Sequence, residues 1–303
     1  MRSSLFGLAV VAGLLLAVPA FAQDAPKPSL WQRGTDLFDQ GKLLATGGVS
    51  QVEGAGGGGL ASWALISGYG TDNGVGLNGH YTYVGLPDYH LHTMGVSVGL
   101  FDRLELSYAW QEFNTQAVGA ALGLGHGFTF HQNIFGAKLK LFGDVVYDQD
   151  TWLPQISIGV QHKENDRGPV IAFVGGKGHV GTDFYLAASK LFLAESVLAN
   201  VTLRETKANQ FGILGFGGDK HNDYSTQVET SLAYLFSKDF AVGAEFRTKP
   251  SNLSIAREQN GWDIFAAYFF NKNLSLTAAY VDLGNIVIRN HQRGAYVSLQ
   301  AGL

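Results

Sequence analysis

Charged side chains of both signs lie on one face of segments in which apolar and polar residues alternate. In FAVGAEFRTK (240–249), apolar residues alternate with a set that contains Glu245, Arg247 and Lys249. Successive side chains of a strand point to opposite faces, so these charges share one face. The same alternation gives the full set of candidate lumen-lining charges: Glu105, Lys138, Lys140, Arg204, Glu229, Glu245, Arg247 and Lys249. Such a set can select small solutes in an open pore or form ion pairs in a closed lumen.

A glycine-rich run, GAGGGG (54–59), is the second feature that bears on function. Its candidate plug or gate residues are Gly54, Gly56, Gly57, Gly58 and Gly59. The segment around it can be a wall strand, an outer loop or a plug inside a lumen. A second run, LGFGGD (214–219), can fold back over the mouth as an outer loop. Neither run ends in Gly-Lys-Ser/Thr, so flexible or close-packed backbone is favoured over a phosphate cradle.

Other residue types offer weaker chemistry. His90 and His92 share one face of a strand and have metal-ligand spacing, but their apolar neighbours favour a place at the outer membrane interface. Ser189 and Ser298 are intramembrane serines that a lipid hydrolase could use, yet neither is predicted beside a lipid-facing histidine, and there is no G-x-S-x-G motif. Cysteine is absent. The sequence therefore predicts no enzyme, and no catalytic, cofactor-binding or metal-binding residue.

The elements that position these residues are predicted as strands of ~9 to 11 residues with alternating short and long connections. Residues 294–303 form an alternating strand that stops at the C-terminal residue, as the closing strand of a barrel does. The prediction is an all-β, transmembrane, antiparallel up-and-down β-barrel of about 14 strands, with both termini periplasmic. Twelve strands are the alternative if the glycine-rich segment folds inward. Candidate strands lie near 43–53, 60–70, 75–85, 90–100, 103–113, 128–142, 151–163, 182–193, 197–207, 225–236, 239–249, 261–270, 274–283 and 294–303.

The N-terminal residues predict export. Arg2, an apolar stretch from Leu5 to Val18 and the motif Ala20-Phe21-Ala22 indicate a cleaved signal peptide over 1–22. Residues 23–42 are predicted as a periplasmic segment, with Trp31, Leu37 and Phe38 on a short helix that packs on the barrel floor or binds a periplasmic partner. Residues 43–303 are predicted as the barrel.

Composition restricts the partners. Charged residues make up 15% of the chain and the net charge is −4, so nucleic acid is not an expected partner. The expected partners are the lipid bilayer and outer-membrane lipids, the outer-membrane assembly machinery and a small-molecule cargo that the sequence does not identify.

Several segments resemble one bacterial family. They are LLATGGVSQVEGAGGGGLASWALISGYGT (43–71), GAALGLGHGFTF (119–130), LFGDVVYDQDTWLPQ (141–155), KANQFGILGFGGD (207–219) and QRGAYVSLQAGL (292–303). Together they make the chain similar to the family of domain of unknown function 3034. The resemblance implies an outer-membrane-type barrel without an established activity, and it provides no functional residues to transfer.

Three functional hypotheses arise from this sequence. The favoured one is an outer-membrane channel or transporter that passes small molecules by passive diffusion through a polar, charge-lined lumen. The alternative is a non-conducting structural or assembly barrel that docks a periplasmic partner. An outer-membrane lipid hydrolase is the least favoured.

Overall fold

The fold is a closed barrel of antiparallel strands. The computed structural model describes Leu37, 40–47 and 49–303; the predicted signal peptide and most of the predicted segment 23–42 lie outside these residues. Within the described part of the chain, twelve strands close into one barrel. The strands are β1 Val75–Gly85, β2 His90–Leu100, β3 Leu104–Asn114, β4 Thr129–Phe142, β5 Gln155–Asn165, β6 Val180–Phe192, β7 Val197–Thr206, β8 Ser225–Ser237, β9 Phe240–Arg247, β10 Gly261–Asn271, β11 Leu274–Asp282 and β12 Arg293–Gly302.

Each strand pairs with its neighbours in the chain, and β12 pairs with β1 to close the barrel. Tyr83 lies opposite Val297 in the closing pair. The all-β antiparallel barrel is thus confirmed, including the closing role of the C-terminal strand. No helix in the described residues is long and apolar enough to span a membrane.

The barrel has twelve strands in the described residues, which is the alternative that the sequence offered to the predicted count of about 14. The described residues of the candidate strands at 43–53 and 60–70 do not join the wall, and residues 50–70 are buried inside the barrel. Isolated backbone bridges join Ser50 to Gly56 and Gly57 to Ser62. The four consecutive glycines of this segment have no side chains to pack as a strand, and they allow the chain to turn back on itself.

The connections differ between the two ends of the barrel. The short-turn end carries 101–103, 143–154, 193–196, 238–239 and 272–273, and the long-loop end carries 86–89, 115–128, 166–179, 207–224, 248–260 and 283–292. The long loops contain the short helices Gln116–Ala121 and Gly168–Phe173 and a 3-10 turn at Asn209–Gly212. Tyr89, Phe113, Phe130, Ile171 and Leu214 are buried in one apolar cluster here, so the loops cover this mouth of the barrel.

Alternation places apolar residues outside and polar residues inside. On β10, Ile264 is 55% exposed, whereas the adjacent Asp263 is 1% exposed. This is the pattern of a barrel with a lipid-facing outer surface. Exposed aromatic side chains near the strand ends, where such barrels carry aromatic girdles, are Tyr234, Phe236, Tyr268 and Phe270.

Candidate functional site

The lumen is filled by the segment that precedes β1. We call residues 42–47 and 49–70 the plug. Every residue from 50 to 70 is buried. Both ends of the plug lie at the short-turn end: the Lys42 ammonium is 2.7 Å from Asp102 in the β2–β3 turn, and the Tyr69 amide donates to the Leu303 carbonyl at 3.0 Å. The plug therefore enters and leaves the barrel at the same end.

Backbone hydrogen bonds fold the plug back on itself. The Gln51 amide donates to the Ala55 carbonyl at 2.9 Å, and the Val52 amide donates to the Gly59 carbonyl at 3.0 Å. Gly54 has a φ of +95°, which disfavours residues with side chains. A methyl group at Gly58 would overlap the Glu245 carboxylate on β9. All five predicted plug glycines, Gly54, Gly56, Gly57, Gly58 and Gly59, lie in this fold.

Five charges alternate in sign on five successive strands of the wall: Lys163 on β5, Asp183 on β6, Arg204 on β7, Glu229 on β8 and Arg247 on β9. We call this set the charged arc. Lys163 is 2.7 Å from Asp183, Arg204 is 2.5 Å from Glu229, and Arg247 is 3.2 Å from Glu229. All five side chains are at most 4% exposed. The arc thus has three cations and two carboxylates.

The plug supplies a third carboxylate to the arc. The Glu53 side chain is fully buried. Lys163 Nζ donates to its Oε1, and Arg247 Nη1 donates to its Oε2 at 2.8 Å. Together with Glu53, the arc has three cations and three carboxylates, and this balance lowers the cost of burying them.

A second ion pair, on the two strands that precede the arc, also fixes the plug. Lys138 Nζ on β4 is 3.0 Å from the Glu105 carboxylate on β3. Glu105 accepts hydrogen bonds from the plug amides of Gly56 and Ser67, each at 2.9 Å. Lys138 also donates to the Leu65 carbonyl at 2.8 Å. Both charges of this pair therefore bind plug backbone.

Wall carboxylates and hydroxyls bind further plug amides. The Leu60 amide donates to Glu245 Oε2 at 2.6 Å, and the Ser62 amide donates to Glu229 Oε2 at 2.8 Å. Asp263 lies beside Glu245 on the neighbouring strand, and both are buried. Much of the contact between plug and wall is polar, so the wall beneath the plug is a surface that water can hydrate.

A loop from the long-loop end seals the plug from the other side. We call residues 209–216 the latch. Lys163 Nζ donates to the Phe211 carbonyl at 3.2 Å, and the Phe211 ring lies 4.3 Å from the Arg247 guanidinium. Gln210 and Phe211 have φ of 46° and 60°, which is uncommon for residues with side chains. The latch includes part of LGFGGD, the run that the sequence predicted as a loop over the mouth.

Lys249 and Glu258 lie beside the latch, beyond the end of β9. Lys249 Nζ donates to Gln210 Oε1 at 3.1 Å and is 3.4 Å from the Glu258 carboxylate. Burial lowers the pKa of Lys249 below its ordinary value, against the opposing effect of Glu258. Burial raises the pKa of Glu258, again against the effect of its partner. This pair connects the latch to the loop 248–260.

Of the eight predicted lumen charges, Glu105, Lys138, Arg204, Glu229, Glu245 and Arg247 contact the plug or the arc, and Lys249 contacts the latch. Lys140 lies at the short-turn end instead, where it is 2.5 Å from Asp102 and 3.3 Å from Asp144. Lys140 is on the same face of β4 as Lys138, but it lies at the short-turn rim of the barrel rather than at the level of the arc.

Glu53, Lys163, Asp183 and Asp263 are site residues that the sequence analysis missed. In QISIGVQHK (155–163), Lys163 falls on the same face as the polar residues at every second position. Asp263 falls on the inward face of β10 in the same way. Extending the alternation along both strands therefore identifies the two residues. The alternation of side chains along a strand provides no signal for Glu53, because the plug is not part of the wall.

The intramembrane serines and the paired histidines have structural partners. Ser298 Oγ lies 2.8 Å from Thr82 Oγ1 inside the barrel, and Ser189 also faces the lumen. His92 lies on the outer face, 2.7 Å from the Tyr81 hydroxyl. Among the described residues, no group of three or more His, Asp or Glu side chains is placed to hold a metal ion.

Replacing Ser189 by alanine is expected to lower the free energy of unfolding by about 1 to 3 kcal/mol, because two buried polar partners lose their bond. Ser189 Oγ accepts from the Ala64 amide at 2.8 Å and donates to Asn200 Oδ1 at 2.7 Å. Urea unfolding in detergent measures the change. Ser237→Ala, at the exposed end of β8, is the control; equal values for the two variants would contradict the plug contact.

The cavities beside the plug are small. One of about 30 Å³ lies near the short-turn end and is lined by apolar side chains that include Trp63, Leu198, Phe265 and Phe269. Another of about 10 Å³ lies beneath the latch, against Arg204 and Arg247. Such volumes hold one or two water molecules. Neither of these two cavities has room for a larger solute.

The model of the family described as "Protein of unknown function (DUF3034)" matches residues 46–300. No curated protein matches the chain in sequence. Among solved structures, the chain is similar to the KdgM porin, with 12% identity and a TM-score of 0.48 over 74% of this chain and 98% of the porin. The NanC porin gives 11% identity and a TM-score of 0.44 over 74% and 97% of the two chains. Outer membrane phospholipase A from Escherichia coli gives 11% identity and a TM-score of 0.41 over 78% of this chain and 91% of the phospholipase. Nothing about a substrate transfers at these levels of similarity.

Proposed function

The chain belongs to the DUF3034 family of proteins of unknown function, and we propose that it is an outer-membrane channel for small molecules that the plug holds closed. The observation that carries this proposal is a polar wall of strands around a separate, re-entrant plug. In the open state, solutes pass by passive diffusion through the lumen that the plug vacates. Export through a cleaved signal peptide and insertion by the outer-membrane assembly machinery belong to the same proposal.

The path of the plug supports withdrawal. Both of its ends lie at the short-turn end, so the segment can leave the lumen without being threaded past the wall. With periplasmic termini, this movement is directed toward the periplasm. The wall groups that the plug releases, such as Glu105, Glu229 and Glu245, are hydrogen-bond acceptors that water satisfies.

The second candidate is a non-conducting structural barrel. The observation in its favour is that the lumen is covered from both sides, by the plug and by the latch with its apolar loop cluster. In that case the plug is a permanent core. The two functions differ in whether the plug moves.

Locking the plug to the wall is expected to abolish channel openings. Ser50 Oγ on the plug accepts from Asn78 Nδ2 on β1 at 2.6 Å, so the two side chains face each other as those of a disulfide pair must. The chain contains no native cysteine. In planar bilayers, the Ser50→Cys/Asn78→Cys variant is expected to open at the wild-type frequency with reductant and to stay silent when oxidised.

The two single-cysteine variants are the controls and should not respond to oxidation. Openings that persist at full size in the oxidised double variant would show that current bypasses the plug. A wild-type protein that is folded and never opens, under any voltage or salt gradient, would favour the structural barrel.

A further inference from the structure

We propose that the charged arc is a binding site for small carboxylate-bearing solutes and that Glu53 occupies this site when the channel is closed. The inference rests on the proposed function, since it identifies the solute class of the same channel. The geometry around Glu53 carries it, together with the positive charge that remains on the arc when the plug leaves.

The charged arc alone has an excess of positive charge. Lys163, Arg204 and Arg247 face two wall carboxylates, Asp183 and Glu229. The nearby Lys249 is matched by Glu258, so it does not change the balance. Glu245, two residues before Arg247 on β9, binds the Leu60 amide and the Ser231 hydroxyl rather than a cation of the arc. When Glu53 withdraws, three arc cations remain for two arc carboxylates, and Lys163 and Arg247 each lose the carboxylate oxygen that they shared.

The arrangement suits a carboxylate in particular. Glu53 shares its two oxygens between two cations, Oε1 with Lys163 and Oε2 with Arg247. A guanidinium and an ammonium, here on β9 and β5, are donors that form charge-assisted hydrogen bonds to carboxylates. The other bonds of Arg204 to Glu229 at 2.5 Å and to Gln161 at 2.7 Å hold the arc in place without Glu53.

Amide groups continue the site beyond the arc. Gln161 Nε2 donates to the Glu53 carbonyl at 3.4 Å, and Gln111 Nε2 donates to the Val52 carbonyl at 2.8 Å. When the plug leaves, these wall donors are released together with Lys163 and Arg247, the two cations that bind the Glu53 carboxylate. They can then bind the polar body of a solute whose carboxylate lies on the arc.

Chemical rescue tests the site without any need for channel opening. Glu53→Ala removes the Cγ and carboxylate atoms, and acetate has the same atoms. We expect acetate to raise the unfolding temperature of full-length Glu53→Ala in detergent by about 3 °C or more at saturation, and to leave the wild type unchanged. Acetamide, the neutral isostere, should not raise it.

Absence of an acetate effect, or an equal effect of acetamide, would overturn the proposal. If Glu53→Ala does not fold, Glu53→Ser is the second variant, because its short side chain also leaves the carboxylate position empty. Acetate should raise its unfolding temperature, and removal of the acetate should return that temperature to its starting value. No dependence on the anion would again overturn the proposal.

Ion selectivity provides a second arm that depends on opening. In the plug-displaced Gly58→Val channel, we expect the reversal potential in a potassium acetate gradient to indicate preference for the anion. Arg247→Gln in that background should remove the preference, whereas Lys238→Gln, which removes one charge at an exposed turn, should not. A cation-selective channel would contradict the solute class. If Gly58→Val never conducts but acetate still stabilises Glu53→Ala, the channel function is contradicted and the carboxylate site is supported.

Discussion

Replacing Gly58 by valine is expected to open a barrel that is otherwise closed. A Cβ atom at Gly58 overlaps the Glu245 carboxylate. The carboxylate can move aside only by losing its bonds to the Leu60 amide and the Ser231 hydroxyl, and the φ of Gly58 is not in the left-handed region, so valine is opposed by this contact rather than by backbone strain. Overpacking of this kind costs about 1 to 3 kcal/mol. If that cost falls on the plugged state alone, the open population increases roughly 5- to 150-fold.

The measurement is open probability in planar bilayers, at equal protein insertion. Gly79→Ala is the matched control, because the nearest heavy atom to a Cβ at Gly79 is 3.8 Å away, and this variant should behave as the wild type. A Gly58→Val protein that is folded, with the wild-type open probability, would show that the plug tolerates the overlap without leaving the lumen.

Replacing Arg204 by alanine is expected to cause a large loss of stability. The side chain is 1% exposed. It bonds to Glu229 at 2.5 Å and to the plug hydroxyl of Ser62 at 2.8 Å, and its guanidinium lies 4.9 Å from the Tyr185 ring. Its removal leaves Glu229 and Asp183 with less charge compensation in the interior. Loss of one partner of a buried pair costs about 3 to 5 kcal/mol.

Urea unfolding in detergent measures this loss. Arg204→Lys keeps the charge but lacks the planar fork, so it should lie between the wild type and Arg204→Ala. Arg103→Ala, at an exposed turn position, should change the free energy of unfolding by less than about 0.5 kcal/mol. A similar small change for Arg204→Ala would mean that the interior is hydrated enough to screen the arc.

The wall of the barrel was largely predictable because strand periodicity is a local signal. Residues 90–100, for example, alternate between a polar face and an apolar face, and the structure has β2 at His90–Leu100. Alternation also assigned an inward face to Glu229, Glu245 and Arg247. These residues lie in the wall, where alternate side chains of a strand point into and out of the barrel.

The plug was harder to predict because its structure depends on contacts distant in sequence. Leu60 is bound by Glu245 and Ser50 by Gln300, and no local pattern at residues 42–70 encodes such partners. The glycine run showed only that the segment lacks strand propensity. The role of Glu53 follows from the three cations and two carboxylates of the arc, and that count needs the register of five strands.

Single-channel recording of the Ser50→Cys/Asn78→Cys pair in the Gly58→Val background tests the central claim most directly. Our interpretation predicts frequent openings with reductant, silence after oxidation and recovery of the openings when reductant returns. Currents that are unaffected by the oxidation state would contradict a gate formed by the plug. They would place the conducting path elsewhere or show that the lumen is never the path.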